Sequence, residues 1–108
     1  MVIFVKGRMA KGANCFEVER KVLAALKGGL QKLGKVEQVS PAVVPTFRVG
    51  SWIIEAYDKL ERAGRKFERW FIIAIGNESN DGQVEVVEVR GASKTVPTAL
   101  KTLKRLLS

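Results

Sequence analysis

The sequence contains no histidine. This removes Ser–His–Asp triads, histidine general bases and histidine-containing zinc sites together. It contains one cysteine, Cys15, so no disulfide framework can form within the chain and a reducing compartment is expected. A cysteine nucleophile would lack its usual base, and Cys15 reads instead as a small residue at a helix start. No apolar run approaches the roughly 20 residues of a membrane-spanning helix. The Val2–Val5 run is too short for a signal-peptide core and has no charged residue ahead of it. A soluble, cytoplasmic protein is the expectation. Acids are scarce, 11 Asp and Glu against 19 Lys and Arg, and they follow no D-x-D or E-x-x-H pattern. Metal-dependent nucleases and phosphoryl-transfer enzymes need acids that converge on cations. Glu55 and Glu68 can meet in space, but ion pairs with neighbouring cations account for them more simply. No metal, no cofactor and no enzymatic activity are implied.

What is present is positive charge. A formal net charge of +8 and a pI near 10.0 favour polyanionic partners, nucleic acid before an anionic membrane. The 108 residues suffice for one domain, residues 1–108, around one modest core.

The chain is organised around RKFERWFIIAIG, residues 65–76. Its second half, Phe71 to Ile75, reads as a central strand buried on both faces. Its first half carries cations and rings towards solvent. Ahead of it, residues 2–5 read as a short strand and KGRMAKGAN as a loop. A helix follows from Asn14, which can cap it with Glu17 at capping-box spacing. Phe16, Leu23, Leu26, Leu30 and Leu33 recur on one face of that helix, and Arg20, Lys21, Lys27 and Lys32 fall largely elsewhere. Gly28 and Gly29 weaken it by about 1 kcal/mol each relative to alanine and mark a bend or a close approach of another backbone. Gly34 is its stop. Val36 and Val39 suit a short strand. Pro41 and Pro45 forbid a helix there, and Thr46 to Val49 suit a sheet edge.

Residues 51–64 read two ways. As a helix, Ser51 caps it, Ile53, Tyr57 and Leu60 line one face, and Glu55/Lys59 and Asp58/Arg62 pair four apart. As a strand, it folds back about Ala63-Gly64, facing Glu61 with Lys66, Leu60 with Phe67, Asp58 with Arg69 and Tyr57 with Trp70. The helix is preferred, because EAYDKLERA is made of good helix formers and Ala-Gly is a weak hairpin turn. Downstream, Asp81-Gly82 signals a turn. Val84, Val86, Val87 and Val89 then form a strand expected to pair antiparallel with residues 67–76, buried on both sides or bulged at Val86-Val87. The chain ends in a helix over about 95–107, with Pro97 in its first turn and an apolar stripe of Val96, Leu100, Leu103 and Leu107.

Gly7 and Gly12 have P-loop spacing, but Ala13 stands where the phosphate-binding lysine belongs and Asn14 where the Ser or Thr belongs, so that motif fails. A looser reading survives, in which Lys6, Arg8 and Lys11 meet phosphates from a flexible loop before a helix; a solvated connecting loop explains them equally. Arg48, beside a helix beginning at Ser51, is a second candidate anion site, and an ordinary helix cap is the plainer account. Rings stand among cations at Phe47, Trp52, Phe67 and Trp70, with Arg65, Lys66 and Arg69 nearby. Exposed rings would stack on unpaired bases at about 1–3 kcal/mol per base, though most tryptophans are core. Alternation puts Trp70 on the face opposite Phe67, Arg69 and Phe71, so those two faces cannot both line one cleft. No helix shows the Arg, Asn and Gln cluster that reads a duplex groove. Leu100, Leu103 and Leu107 pack on the chain's own sheet or join two copies into a dimer or higher oligomer.

A short, basic, histidine-free chain with a capped leading helix, RKFERWFIIAIG entering a hairpin and a leucine-lined C-terminal helix resembles the ThermoDBP-related single-stranded nucleic-acid-binding proteins of archaea. The resemblance rests on architecture and composition and transfers no individual site residue. It implies a small antiparallel sheet backed by helices, a basic cleft with apolar and aromatic walls, and homo-oligomerisation. The order of elements through residue 90 is also similar to the Alba chromatin fold, which lacks a helix after its last strand. The expected fold is therefore α+β: a small, mainly antiparallel sheet of about four strands packed with two or three helices. The expected function is non-enzymatic binding of single-stranded DNA or RNA with little sequence preference. A protein-interaction module or an Alba-like chromatin or RNA-binding protein is the alternative. The candidate contacts are Lys6, Arg8, Lys11, Phe47, Arg48, Trp52, Arg65, Lys66, Phe67, Arg69 and Trp70.

Overall fold

The computed structural model describes residues 2–9, 15–40, 45–77 and 84–108. The Asn14–Glu17 cap, Lys11, the side chains of Cys15 and Phe16, and the Asp81-Gly82 turn lie outside the described residues and side chains. Phe71 to Ile75 have no polar residue among them, so a strand built from them is expected to be buried on both faces. All five are buried, Ala74 the most accessible at 9%. They belong to β5 (Lys66–Asn77), which lies third from one edge of a six-stranded sheet. The other elements are β1 (Val2–Arg8), α1 (Cys15–Leu33), β2 (Val36–Ser40), β3 (Thr46–Val49), β4 (Trp52–Ala63), β6 (Val84–Val89) and α2 (Ala92–Leu107). The strand order is β2-β3-β4-β5-β1-β6. All neighbours are antiparallel except β1 and β6. The class is α+β as expected; among the described residues there are six strands rather than about four, in a mixed sheet with two helices.

Period-two alternation assigns the two faces of the sheet. Ile3, Val5, Phe71, Ile73, Ile75, Ile54, Ala56, Phe47 and Val49 turn to one side and form a core with Val22, Leu26 and Leu30 of α1 and Val96, Ala99 and Leu103 of α2. Each of these side chains larger than alanine contributes about 1.5–3 kcal/mol through burial. Two glycines let the layers approach. A β-carbon at Gly29 would lie 2.2 Å from Leu100 Cδ1, so α2 seats directly on α1 there. One at Gly7 would lie 1.7 Å from Thr95 Oγ1 and 2.7 Å from the Gly91 carbonyl oxygen, so the start of α2 rests on the backbone of β1. Val2, Phe4, Lys6, Ile53, Tyr57, Ile72 and Ala74 turn to the other face, and among the described residues no helix covers it.

Several expectations are corrected. Residues 52–63 are strand, because all twelve pair in unbroken register with β5. The register is shifted by two from the one expected: Arg62 faces Phe67, Leu60 faces Arg69 and Lys59 faces Trp70. The shift arises because the turn is Gly64-Arg65, not Ala63-Gly64. Gly64 has φ 65, and glycine at the first position of a two-residue loop is the type II′ hairpin pattern. Gly50-Ser51 closes β3–β4 the same way, with Gly50 at φ 61. Ser51 is thus a turn residue and caps no helix. β1 runs on to Arg8, so Lys6 and Arg8 are strand residues rather than loop residues. β3 is interior, between β2 and β4. β6 pairs with β1 in parallel, not with β5 in a hairpin, and its register is continuous, with no bulge at Val86-Val87. Val87 meets the core, while Val86 is 53% exposed on the open face. α2 starts three residues earlier than expected, leaving Pro97 in its second turn. Leu103 is 1% exposed and Leu100 covers Gly29, so the leucine stripe packs within its own chain. Only Leu107, at 40%, stands out from it. Among the described residues no helix is long and apolar enough to cross a membrane.

Candidate nucleic-acid interface

β1 and β6 are parallel, so both end at the same side of the sheet, and Gly7 is level with Val89. Beyond these ends β5 and β6 have no strand between them, and a cleft of about 990 Å³ opens there. Arg8, Met9, Trp70 and Val89 come to it from the strand ends, and Lys21 and Val22 come from α1. Arg90, Gly91, Ala92 and Ser93 form its lip where the chain turns from β6 into α2. The first turn of α2 contains no acid, and its N-cap, Gly91 at φ 81, makes no side-chain capping bond. Unpaired amides and the positive end of the helix dipole therefore favour an anion at this lip, by about 0.3–1 kcal/mol at an exposed site. Lys21 and Arg90 are exposed and make no ion pair among the described residues. Glu88 is the one acid among the lining residues. The cleft thus joins cations and a helix start to apolar walls of Met9, Val22 and Val89.

Trp70 lies on the open side of β5, between Arg8 of β1 and Lys59 of β4. Lys6 Nζ sits 5.5 Å from its ring centroid, within cation–π range. The buried Trp70 Nε1–H meets no acceptor among the described residues. Lys6 donates to Glu61 Oε1 at 2.7 Å, Lys59 approaches the same oxygen at 3.5 Å, and Arg8 pairs with Glu68. The hydrogen bond from Lys6 holds the Glu61 carboxyl below its usual value; burial opposes this, and the charge of Lys6 and the approach of Lys59 add smaller lowering effects. Tyr57, on the same face, is pushed above its usual value by burial and then by Glu55.

A second cationic element adjoins the cleft. Strands β4 and β5 each have 12 residues, about 40 Å of chain. Beyond Trp70 neither β1 nor β3 flanks them, so residues 59–69 project as a two-stranded arm. One face of the arm carries Leu60, Arg62, Phe67 and Arg69, and Leu60 and Phe67 are 61% and 66% exposed. Arg65 and Lys66 are at the tip. Arg69 gives one hydrogen bond, to Asp58 Oδ2 at 3.1 Å, and the Met9 amide donates to the Arg69 carbonyl, tying the arm to the cleft.

The predicted residues therefore separate. Arg8 and Trp70 line the cleft, with Lys6 beside Trp70. Arg65, Lys66, Phe67 and Arg69 are on the arm. Phe47 is 3% exposed in the core, and the partly buried Trp52 packs against that core next to Val49, so both rings belong to the helix-facing side and not to the cleft or the arm. Arg48 lies on the open face opposite Ile53 and Glu37, and the element that follows it is strand β4, so no helix start stands beside it at Ser51. Lys11 lies outside the described residues. Glu55 and Glu68 do not meet: they sit six rows apart along the hairpin, about 20 Å. Lys21 and Arg90 were not foreseen as contacts. The signal for Arg90 was its place between a valine-rich strand and a helix, followed by glycine.

Among the described residues no group of three or more His, Cys, Asp or Glu is placed to hold a metal ion. No family model, curated protein or solved structure matches the chain.

Proposed function

We propose that the protein binds single-stranded DNA or RNA with little sequence preference and without catalysis. The observation that carries this is the cleft at the end of β1, where Arg8, Lys21 and Arg90 surround apolar walls at a helix start with no side-chain cap. Phosphates would meet Lys21, Arg90 and the amides of Gly91 to Ser93, as anions do at helix starts. Unpaired bases would meet Trp70 and Met9, and a stacked ring is worth about 1–3 kcal/mol per base. The arm extends the same basic surface through Arg62, Arg65, Lys66 and Arg69, with Phe67 as a second ring. A duplex would leave the apolar walls unused, because paired bases keep their faces stacked. A protein-interaction module would draw on another surface, the open face of the sheet.

Titration of poly-dT and poly-U, read by tryptophan fluorescence at two salt concentrations, tests the proposal. The expected result is quenching with affinity that falls steeply as salt rises. Absence of binding at low salt, or binding that Lys21→Ala/Arg90→Ala leaves unchanged, would overturn it.

A further inference from the structure

The two helices carry the charge that the sheet does not. Residues 20–35 and 89–108 contain ten of the chain's 19 cations and none of its 11 acids. All ten are exposed, and none makes an ion pair among the described residues. The rest of the chain is therefore slightly acidic, and the helical layer dominates the attraction for a polyanion. Along α1, Lys21, Ala25, Gly28 and Lys32 recur four, three and four apart, so they share one face. Ser93, Val96, Pro97 and Leu100 share a face of α2 in the same way. Between the two faces runs a groove of about 570 Å³, with the buried Val22 and Val96 in its floor. Lys21, Val22 and Ser93 also line the cleft, so the groove is its continuation. Leu100 seats on Gly29, which gives that glycine a packing role. Gly28 has none, because an added β-carbon there would meet nothing within 4 Å. Its bare backbone leaves the groove open between two lysines about 16 Å apart along α1.

We infer that a bound single strand leaves the cleft along this groove, which holds its sugar–phosphate backbone and reads no base. The inference rests on the nucleic-acid reading of the cleft and adds a second segment to it. Charge names the occupant. The ionised groups lining the groove are Lys21 and Lys32, and lysine meets phosphate as a point charge with no demand on orientation. Continuity names it too, since a strand held at Lys21 has the groove directly before it. The lining then decides which part of the strand enters. It contains no aromatic ring, and beyond the lysines its one polar side chain is Ser93. Stacking on a base needs a ring, and reading a base edge needs paired donors and acceptors. Sugars can lie against Val96, Pro97 and Leu100 while the bases turn to solvent. Cleft and groove thus divide one strand into a base-contacting segment at Trp70 and Met9 and a base-blind segment between the helices.

Three probes test it, each titrated at two salt concentrations with tryptophan quenching as the readout. Two are dT oligomers of about 5 and about 15 nucleotides, within the usual range of single-strand sites. The third matches the longer one but joins about 5 dT to an abasic tract, placed at either end. The longer dT and the chimera with its tract at one of the two ends should bind equally. Both should bind at least fivefold tighter than the short dT, with a steeper salt slope. Lys32→Ala should remove about 0.7 from that slope for both long probes and leave the short one unchanged. Gly28→Glu puts an acid into open space, exchanges a poor helix former for a good one and pairs four apart with Lys32. Its urea midpoint should equal or exceed that of wild type, while its long-strand affinity should fall to that of the short strand. No gain from length, or a gain that both variants leave intact, would overturn the inference. Short dT binding would then keep the cleft reading in place, and the helical charge would serve an acidic protein segment. A gain with dT that the chimera fails to show would overturn it as well, by moving the added contacts to rings such as Phe67 on the arm. If no dT probe binds at low salt, the cleft reading falls and this inference with it.

Discussion

Gly7→Ala is the sharpest test of how the cleft is built. In a strand with open space above it, this change would stabilise the protein by about 0.4–1 kcal/mol, because alanine restricts the unfolded chain. Here the added methyl would lie 1.7 Å from Thr95 Oγ1, 2.7 Å from the Gly91 carbonyl oxygen and 3.2 Å from Ala92 Cα. Thr95 is fully buried, and the other two atoms are backbone, so relief requires the first turn of α2 to lift from β1. Overpacking typically costs about 1–3 kcal/mol, and backbone contacts put this site at the upper end. The steric cost therefore wins, and a net loss of about 2 kcal/mol is expected, or roughly 8–16 °C in Tm for a domain of this size. Urea unfolding followed by tryptophan fluorescence measures it. Because Gly91 to Ser93 form the lip of the cleft, oligonucleotide affinity should fall in the same variant. Adding Thr95→Ala removes the nearest clash but not the Gly91 carbonyl, so it should restore only part of the stability. If Gly7→Ala alone matched or exceeded wild type, the direct seating of α2 on β1 would be refuted.

Four other outcomes are expected. Lys21→Ala and Arg90→Ala should each weaken oligonucleotide binding and reduce the salt slope of log K by about 0.7, the single-strand value per phosphate contact. Phe67→Ala should leave the urea midpoint nearly unchanged, within about 0.5 kcal/mol in stability, while lowering affinity if the arm stacks on a base. Phe47→Ala should cost about 3–5 kcal/mol by opening a core cavity, whereas the gentler Phe47→Leu should retain full affinity, since this ring touches no ligand. The folded-state pKa of Glu61 is depressed, so its contribution to stability is present above the unfolded value of about 4.3 and is lost as pH falls through the lower folded value. Thermal melts across that acid window should therefore fall less steeply for Glu61→Gln than for wild type.

Much of the fold could be read from local pattern. The run Phe71 to Ile75 read as buried on both faces; all five residues are buried, yet only Phe71, Ile73 and Ile75 meet the helices, while Ile72 and Ala74 lie on the face that no described helix covers. Leu26, Leu30 and Leu103 were on apolar stripes and are buried. Residues 51–64 defeated the same method because two periods coexist there. Ile53, Tyr57 and Leu60 fall at helical spacing, and EAYDKLERA favours a helix intrinsically, yet twelve cross-strand pairs and the Gly64-Arg65 turn outweigh that preference. Propensity differences are a few tenths of a kcal/mol per residue, and a paired strand with one buried face exceeds their sum.

The site was legible in part. Trp70, Arg65, Lys66, Phe67 and Arg69 stood out as rings set among cations, and Arg8 as a basic residue of an expected loop before a helix; all of them lie on the candidate cleft or the arm. Phe47 and Trp52 carried the same signal and turned inward, because ring-beside-arginine says nothing about which face of a strand meets the helices. Lys21 and Arg90, 69 positions apart, could be joined only by the packing of α1 and α2 over the end of β1.

By itself the sequence determined the chemistry available: no histidine, one thiol, scattered acids, a large positive excess, and the apolar runs that had to be buried. Those properties are set by side-chain type and short-range spacing, which survive any arrangement of the chain. Only the tertiary structure decided that β6 joins β1 in parallel instead of β5. That one non-local pairing brings the two strand ends level, seats the start of α2 on Gly7 and opens the cleft beside them. It also decided where RKFERWFIIAIG divides. β1 flanks the stretch only as far as Trp70, so the residues beyond become core and those before become an arm in solvent.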